Sequence, residues 1–228
     1  MGKSAALAQV SDYVSEHVGT VAVFSLEMSS RQWLLRIACR RARVSGLMLR
    51  QGKTSAEQER RVLDELARLE SRDTLYLDDT PQTTDDMAAA CLRLARRTGL
   101  ALVITDHLRL FGDADERETR RLGTITWNHK KLAKSLDAAV IAAAQLSRAV
   151  EAQGDKRPDL KDLRDSGEIE ENADTVTALY RDSYYTEKTN DRTAEFINRK
   201  AREGERNARA TFVFQPEYTG FETLAIGV

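Results

Sequence analysis

The chain begins Met1-Gly2-Lys3-Ser4, and Gly2, Lys3 and Ser4 are the last three signature residues of a phosphate-binding loop, G-x-x-x-x-G-K-[ST]. In such a loop the free backbone N–H groups and the dipole of the helix that follows hold phosphate oxygens. The lysine ammonium pairs with the terminal phosphates, and the serine hydroxyl can ligate Mg²⁺. Three more polar residues each follow a short apolar run: Glu27 follows residues 20–25, Asp106 follows residues 100–105, and Gln145 follows residues 138–144. Any one of them reads equally well as a polar cap on a strand end. Together they have the makings of phosphoryl transfer: Asp106 acting on Mg²⁺, Glu27 polarising an attacking water, and Gln145 hydrogen-bonding a γ-phosphate. Arg148, three residues beyond Gln145, reads as a surface arginine or a site residue with equal ease.

Those residues need a scaffold that brings strand ends to a helix start. Behind the Gly2-Lys3-Ser4 segment, Leu7, Val10, Val14 and Val18 recur at helical spacing. Ser29 or Ser30 opens a helix running to about Val44. Ser55 and Gln58 form a capping-box pair before a helix with Val62, Leu66 and Leu69 on one face. A short strand covers residues 75–77. Thr83 and Thr84 precede a helix carrying Met87, Cys91, Leu94 and Ala95 that stops near Gly99. Residues 117–136 are charged and helical. Apolar runs alternating with helices predict an α/β fold with a mostly parallel sheet covered on both faces, so residues 138–144 are expected as a third buried strand. In such sheets ligands collect beyond the carboxyl ends of the strands, which puts Glu27, Asp106 and Gln145 at one edge with Lys3 and Ser4. Beyond Gln145 the β-rich segments 175–180, 194–197, 211–214 and 221–224 predict an antiparallel extension of the same sheet.

Composition narrows the class. The 228 residues suit one α/β domain with a full core. A net charge of −1, from 35 basic and 36 acidic residues, provides no global basic field, so any nucleic-acid contact must be local. Cys39 and Cys91 lie in helical patterns without metal-ligand spacing and read as reduced, buried thiols of a cytosolic, cytoplasmic protein. His17, His107 and His129 form no metal motif. No signal peptide and no membrane-spanning run is visible.

Several strings carry a family resemblance: Val23-Phe24-Ser25-Leu26-Glu27-Met28-Ser29, Leu77-Asp78-Asp79-Thr80-Pro81, Gln145-Leu146-Ser147-Arg148, and Asp162-Leu163-Arg164-Asp165-Ser166-Gly167 followed by Ile169-Glu170 and Ala173-Asp174. In order and spacing they resemble the C-terminal, RecA-like motor domain of the DnaB-family replicative helicases, over essentially the whole chain. The resemblance implies a single RecA-like P-loop NTPase domain over residues 1–228, ATP and Mg²⁺ as cofactors, and a homo-hexameric ring that moves 5′ to 3′ on single-stranded DNA. It also implies primase and a helicase loader as partners, and no membrane. Carried over by motif, Gly2, Lys3 and Ser4 match the phosphate loop and Ser4 and Asp106 the metal ligands. Glu27 matches the catalytic glutamate and Gln145 the γ-phosphate sensor. Lys200-Ala201-Arg202-Glu203-Gly204 resembles the segment whose lysine and arginine reach a neighbouring subunit's site, Arg202 as its finger. Arg164, Asp165 and Gly167 match the central-channel loop that holds DNA phosphates.

Departures from the family pattern qualify these expectations. The front of the phosphate loop and the strand leading into it are expected ahead of Met1, as are the collar domain and linker helix, which reads as a fragment of a longer helicase. His107 and Arg109 stand where the family usually has tyrosine and glutamine, Ala144 where it has serine, and Ala201 and Glu203 alter the finger segment. Without the resemblance, Arg164 reads as a salt-bridge partner of Asp162 or Asp165, and Lys200 and Arg202 as a solvated basic patch with Arg199, Arg206 and Arg209. Two alternatives stay open: another RecA-like ATPase of the recombinase or clock type, or a non-catalytic remnant that binds DNA or helicase subunits.

Overall fold

A computed structural model describes residues 2–163, 167–186 and 191–224. Strands β1 (Val21–Ser25), β2 (Leu75–Asp78), β3 (Leu102–Asp106) and β4 (Ala139–Ala142) form a parallel sheet in the order β2-β1-β3-β4. Side chains alternate across a strand, and β1 shows it. Val21 and Val23 join the core under helices α1 (Lys3–His17), α2 (Ser30–Ala42) and α4 (Ala56–Glu70), while Ala22 and Phe24 join the opposite core under α5 (Thr84–Thr98) and α6 (Glu118–Leu136). Both faces being covered, every residue of β1 and β3 is buried, which is why these strands read as unbroken apolar runs. Three helices start on reciprocal capping boxes, Ser29 with Gln32, Ser55 with Gln58 and Thr83 with Asp86. Gly99 ends α5 at φ 70°. A short helix, α3 (Gly46–Arg50), capped by Ser45, follows α2 and has no counterpart among the expected elements.

Helix α1 is fastened chiefly by polar groups. The indole N–H of Trp33 donates to Ser11 at 3.2 Å. The buried Asp12 carboxylate accepts from Arg41 at 2.7 and 2.8 Å, from Arg72 at 3.0 Å and from Arg40. Removing one partner of a buried ion pair costs about 3–5 kcal/mol; the partly hydrated arginines put Asp12 near the lower end. The expected apolar stripe of α1 is corrected: Leu7 is buried and Val14 packs against the core, but Val10 and Val18 are exposed, and Ala5, Ala8, Ser11, Asp12 and Ser15 complete the buried face. Small and polar residues lie inward because α1 sits close on α2 and its polar atoms find partners there.

Two further expectations change. Residues 139–142 form an edge strand with largely exposed side chains, not a buried one. The antiparallel segments build a separate sheet, β5 (Thr175–Tyr180), β6 (Thr193–Ala201), β7 (Arg209–Gln215) and β8 (Gly220–Thr223), in the order β5-β6-β7-β8. No ladder hydrogen bonds join β4 to β5 among the described residues, so each presents an open edge where a further strand can add. Packing joins the sheets instead. Ala5 of α1 lies in the aromatic cluster of the second sheet while Leu7 and Ala8 lie in the core of the first. The amide of Gln9 exchanges hydrogen bonds with the Phe221 backbone, 2.9 Å each way. On the other side Asn172 of α7 (Gly167–Asn172) donates to Thr126 of α6 at 2.9 Å.

Both cysteines are free and buried, and burial pushes the Cys91 thiol up to about 12. No helix among the described residues is long and apolar enough to cross a membrane.

Candidate active site

Gly2 caps α1 at φ 118°, the left-handed region, and a Cβ there would stand 3.2 Å from the Phe221 ring. Glycine therefore serves twice, by conformation and by letting the helix start lie on the floor of Leu179, Phe214 and Phe221. No side chain caps α1 and no acidic residue occupies its first turn, so the N–H groups beside Lys3 and Ser4 meet no side-chain anion.

The parallel register sets Ser25 of β1 beside Asp106 of β3, and the amides of Leu26 and Glu27 donate to the Asp106 carbonyl at 2.9 and 3.3 Å. Two backbone bonds thus tie the Glu27 turn to the end of β3. Asp106 is 1% exposed, and neither carboxylate oxygen has a hydrogen-bond partner among the described residues. Burial pushes its carboxyl above the usual range. The Ser4 hydroxyl pulls it back without completing a well-formed bond, Glu27 raises it further, and His107 and Lys3 lower it. On the other side of β3, the Ala143 amide donates to the Thr105 carbonyl at 2.8 Å and the Leu108 amide to the Ala143 carbonyl at 3.1 Å. This brings Gln145 to His107, with their Nε2 atoms 3.0 Å apart. His107 Nε2 also lies 4.0 Å from Glu27 Oε2. Burial lowers the His107 pKa, opposed by the fields of Glu27 and Asp106.

Lys3, Ser4, Glu27, Asp106 and Gln145 therefore gather at the carboxyl ends of β1, β3 and β4, as their sequence positions predict. Two members of the cluster have no counterpart among the expected site residues. His107 is one. The other is Arg36, whose guanidinium is held below its usual pKa by burial and raised by Asp106 and Glu27, with no hydrogen bond or ion pair among the described residues. Its signal was a cation beside the inward stripe of Trp33 and Ile37.

The finger candidates lie elsewhere. Lys200 donates to the Glu170 carbonyl, and Arg202 pairs with Asp174 at 3.2 Å and reaches the Glu171 carbonyl at 3.4 Å. Asp174 is held below the usual carboxylate range by Lys130 first, then by Arg202 and Lys200. No hydrogen bond or ion pair of Lys200 or Arg202 reaches the Lys3–Asp106 cluster among the described residues. Arg164 and Asp165 lie outside the described residues, and Gly167 is the exposed first residue of α7. The chain enters residues 164–166 from Leu163, which bridges Leu146 next to Gln145, while the Ser147 amide donates to the Asp162 carbonyl at 2.8 Å.

Among the described residues no three His, Cys, Asp or Glu side chains are grouped to hold a metal by themselves. Magnesium needs no such cage. It binds through one or two protein oxygens, waters and the phosphates of its nucleotide, and the unpartnered Asp106 carboxylate with the Ser4 hydroxyl fits that habit.

A parallel sheet with a lysine–serine helix start and a buried carboxylate at the neighbouring strand end defines a RecA-like P-loop NTPase core. Comparisons with known proteins agree. Residues 1–223 match the profile of the DnaB-like helicase C-terminal domain. The chain is 36% identical over 230 residues to the replicative DNA helicase DnaB of Geobacillus stearothermophilus, covering 98% of this chain and 50% of that protein. Against the replicative DNA helicase DnaC of Bacillus subtilis (strain 168) identity is 34% over 230 residues, with the same coverage. Among solved structures, one of an isolated ATPase domain superposes with a TM-score of 0.89 at 28% identity, covering 98% of this chain and 81% of that one. A DnaB-like replicative helicase, from a structure describing its interactions with primase, gives 0.90 at 28% identity, covering 98% and 55%. The chain belongs to the DnaB-like helicase C-terminal domain family. It spans about half the length of the curated relatives it matches. Membership sets it apart from the recombinase and clock-type ATPases.

Proposed function

We propose that this chain is the motor domain of an ATP-dependent replicative DNA helicase, hydrolysing Mg²⁺-ATP at the subunit interfaces of a homo-hexameric ring that translocates on single-stranded DNA. The observation that carries the reading is the Asp106 carboxylate, buried without a partner beside the Lys3–Ser4 helix start. An unpaired buried carboxylate is costly, and a cation held jointly with a nucleotide would relieve that cost. On this reading Lys3 and the α1 N–H groups bind the terminal phosphates, Ser4 and Asp106 hold Mg²⁺, and Glu27 orients water. Gln145 contacts the γ-phosphate, and the bridge from Leu146 to Leu163 carries its state toward Arg164, Asp165 and Gly167 on the DNA. Lys200 and Arg202 act across the subunit boundary, since within one subunit they face α7. Bound Mg²⁺ supplies charge neutralisation along the phosphates. Primase and a loader are the partners, and the cytoplasm the compartment, that go with this role.

The test is Mg²⁺-ATP hydrolysis by the 228-residue chain with and without oligo-dT. Hydrolysis stimulated by the oligonucleotide and abolished in Lys3→Ala supports the reading. Hydrolysis that survives Lys3→Ala refutes the site. DNA binding without turnover supports a non-catalytic remnant in its place.

A further inference from the structure

His107 is 6% exposed and stands among the ends of the three strands that carry the site. It follows Asp106 directly, and its Nε2 is 3.0 Å from the amide nitrogen of Gln145 and 4.0 Å from Glu27 Oε2. We propose that His107 is a positioning residue for hydrolysis, its Nε2–H donating to the side-chain oxygen of Gln145 so that both amide N–H groups are left for an anion. The inference rests on the ATPase reading above and adds to it the element that aligns two of its groups.

The assignment follows from counting donors and acceptors. The contact is nitrogen to nitrogen, so one partner must accept or the amide must turn. On the far side of the ring Nδ1 is buried with no partner among the described residues. A proton on Nδ1 would strand a buried N–H, whereas a proton on Nε2 strands only a lone pair, and orphaned buried N–H groups are the rarer case. With its proton on Nε2 the ring faces two acceptors on one side, the Gln145 amide oxygen and the Glu27 carboxylate. The two ends of a carboxamide have nearly the same shape, so turning the amide about its last bond costs no packing. Gln145, which would otherwise rotate freely at the end of an edge strand, is then held in the orientation that presents donors. An aliphatic side chain at position 107 would fill the space, yet free the amide and remove the group beside Glu27.

Two substitutions separate this role from simple packing. Glutamine carries its side-chain nitrogen about as far from Cα as Nε2 of histidine, and asparagine only as far as Nδ1. In steady-state Mg²⁺-ATP turnover, His107→Leu and His107→Asn are expected to lose about tenfold or more in kcat, the scale of a misaligned catalytic group, with KM changing less than about twofold. His107→Gln is expected to recover most of it. Equal kcat in the Leu and Gln variants overturns the proposal, as does a loss confined to KM. A second measurement needs no turnover: long-range ¹⁵N correlation spectra of the histidine-labelled, nucleotide-free chain. The expected result is the Nε2–H form for His107, with its ¹⁵N resonances shifted in Gln145→Ala. The Nδ1–H form, or resonances indifferent to Gln145→Ala, overturns it. If the wild type hydrolyses no ATP, the functional reading fails, and the spectra still decide whether His107 holds Gln145.

Discussion

Replacing Asp106 by asparagine should make the nucleotide-free protein more stable while weakening its hold on Mg²⁺-ATP. Both oxygens of this carboxylate are buried and unpartnered among the described residues, and burial raises its pKa. A buried group with no hydrogen bond costs about 1–3 kcal/mol, more if charged. Asparagine keeps the shape and removes the charge, but its amide is also left unpaired, so the expected gain is only about 1–2 kcal/mol. For a domain of this size each kcal/mol moves Tm by about 2–4 °C, giving a rise of about 2–8 °C at neutral pH. The pH dependence has a definite sign. A carboxyl whose folded pKa is raised binds its proton more tightly in the folded state than in the unfolded one. The wild type should therefore lose stability as pH rises from the unfolded carboxylate range through the folded pKa. Below that range both side chains are neutral and the advantage of the variant should vanish. Thermal unfolding of both proteins in EDTA, across a pH series from acidic to neutral, measures this. With Mg²⁺-ATP added the order should reverse, because only the wild type gains fully from the ligand. A variant less stable than wild type at every pH, or an advantage independent of pH, would show that the carboxylate has a partner and would refute the reasoning.

Glu27→Gln should remove hydrolysis and leave ATP affinity nearly intact, since Glu27 is half exposed and lies at the edge of the cluster; equal loss of binding in fluorescent-nucleotide titrations of this variant and of Asp106→Asn would dissolve the division of roles. Arg202→Ala should cut ATPase activity by about 10³–10⁵ with less than about 1 kcal/mol lost in stability, because its pair with Asp174 is exposed on both sides. Mixed with Glu27→Gln subunits it should regain activity, whereas no recovery in verified mixed rings would place Arg202 outside the neighbouring site. Arg164→Ala should weaken binding of oligo-dT and mixed-sequence oligonucleotides alike and flatten the salt dependence of log affinity by about 0.7 for each phosphate that the arginine neutralises; an unchanged slope would make Arg164 a salt-bridge partner and nothing more.

The parts of this protein legible in its sequence are those set by local chemistry. Ser55 with Gln58 and Thr83 before Met87 start helices where their side chains can meet backbone N–H groups a turn away, and that geometry needs nothing from the rest of the fold. The unbroken apolar runs of β1 and β3 announce a sheet covered on both faces, and with it the edge at which Glu27 and Asp106 end. What the sequence left open depends on contacts between distant segments. The exposure of β4, the separation of β5–β8 into their own sheet and the inward turn of Ser11 and Asp12 follow from which elements pack together, and apolar periodicity does not encode partners. The same holds for Arg36 and His107. Each is a lone polar residue in its local pattern, and only the parallel register of β1, β3 and β4 carries their side chains to Glu27, Asp106 and Gln145. Side chains from separate strands become one site when the sheet closes, because burial there removes the water that would otherwise screen them from one another.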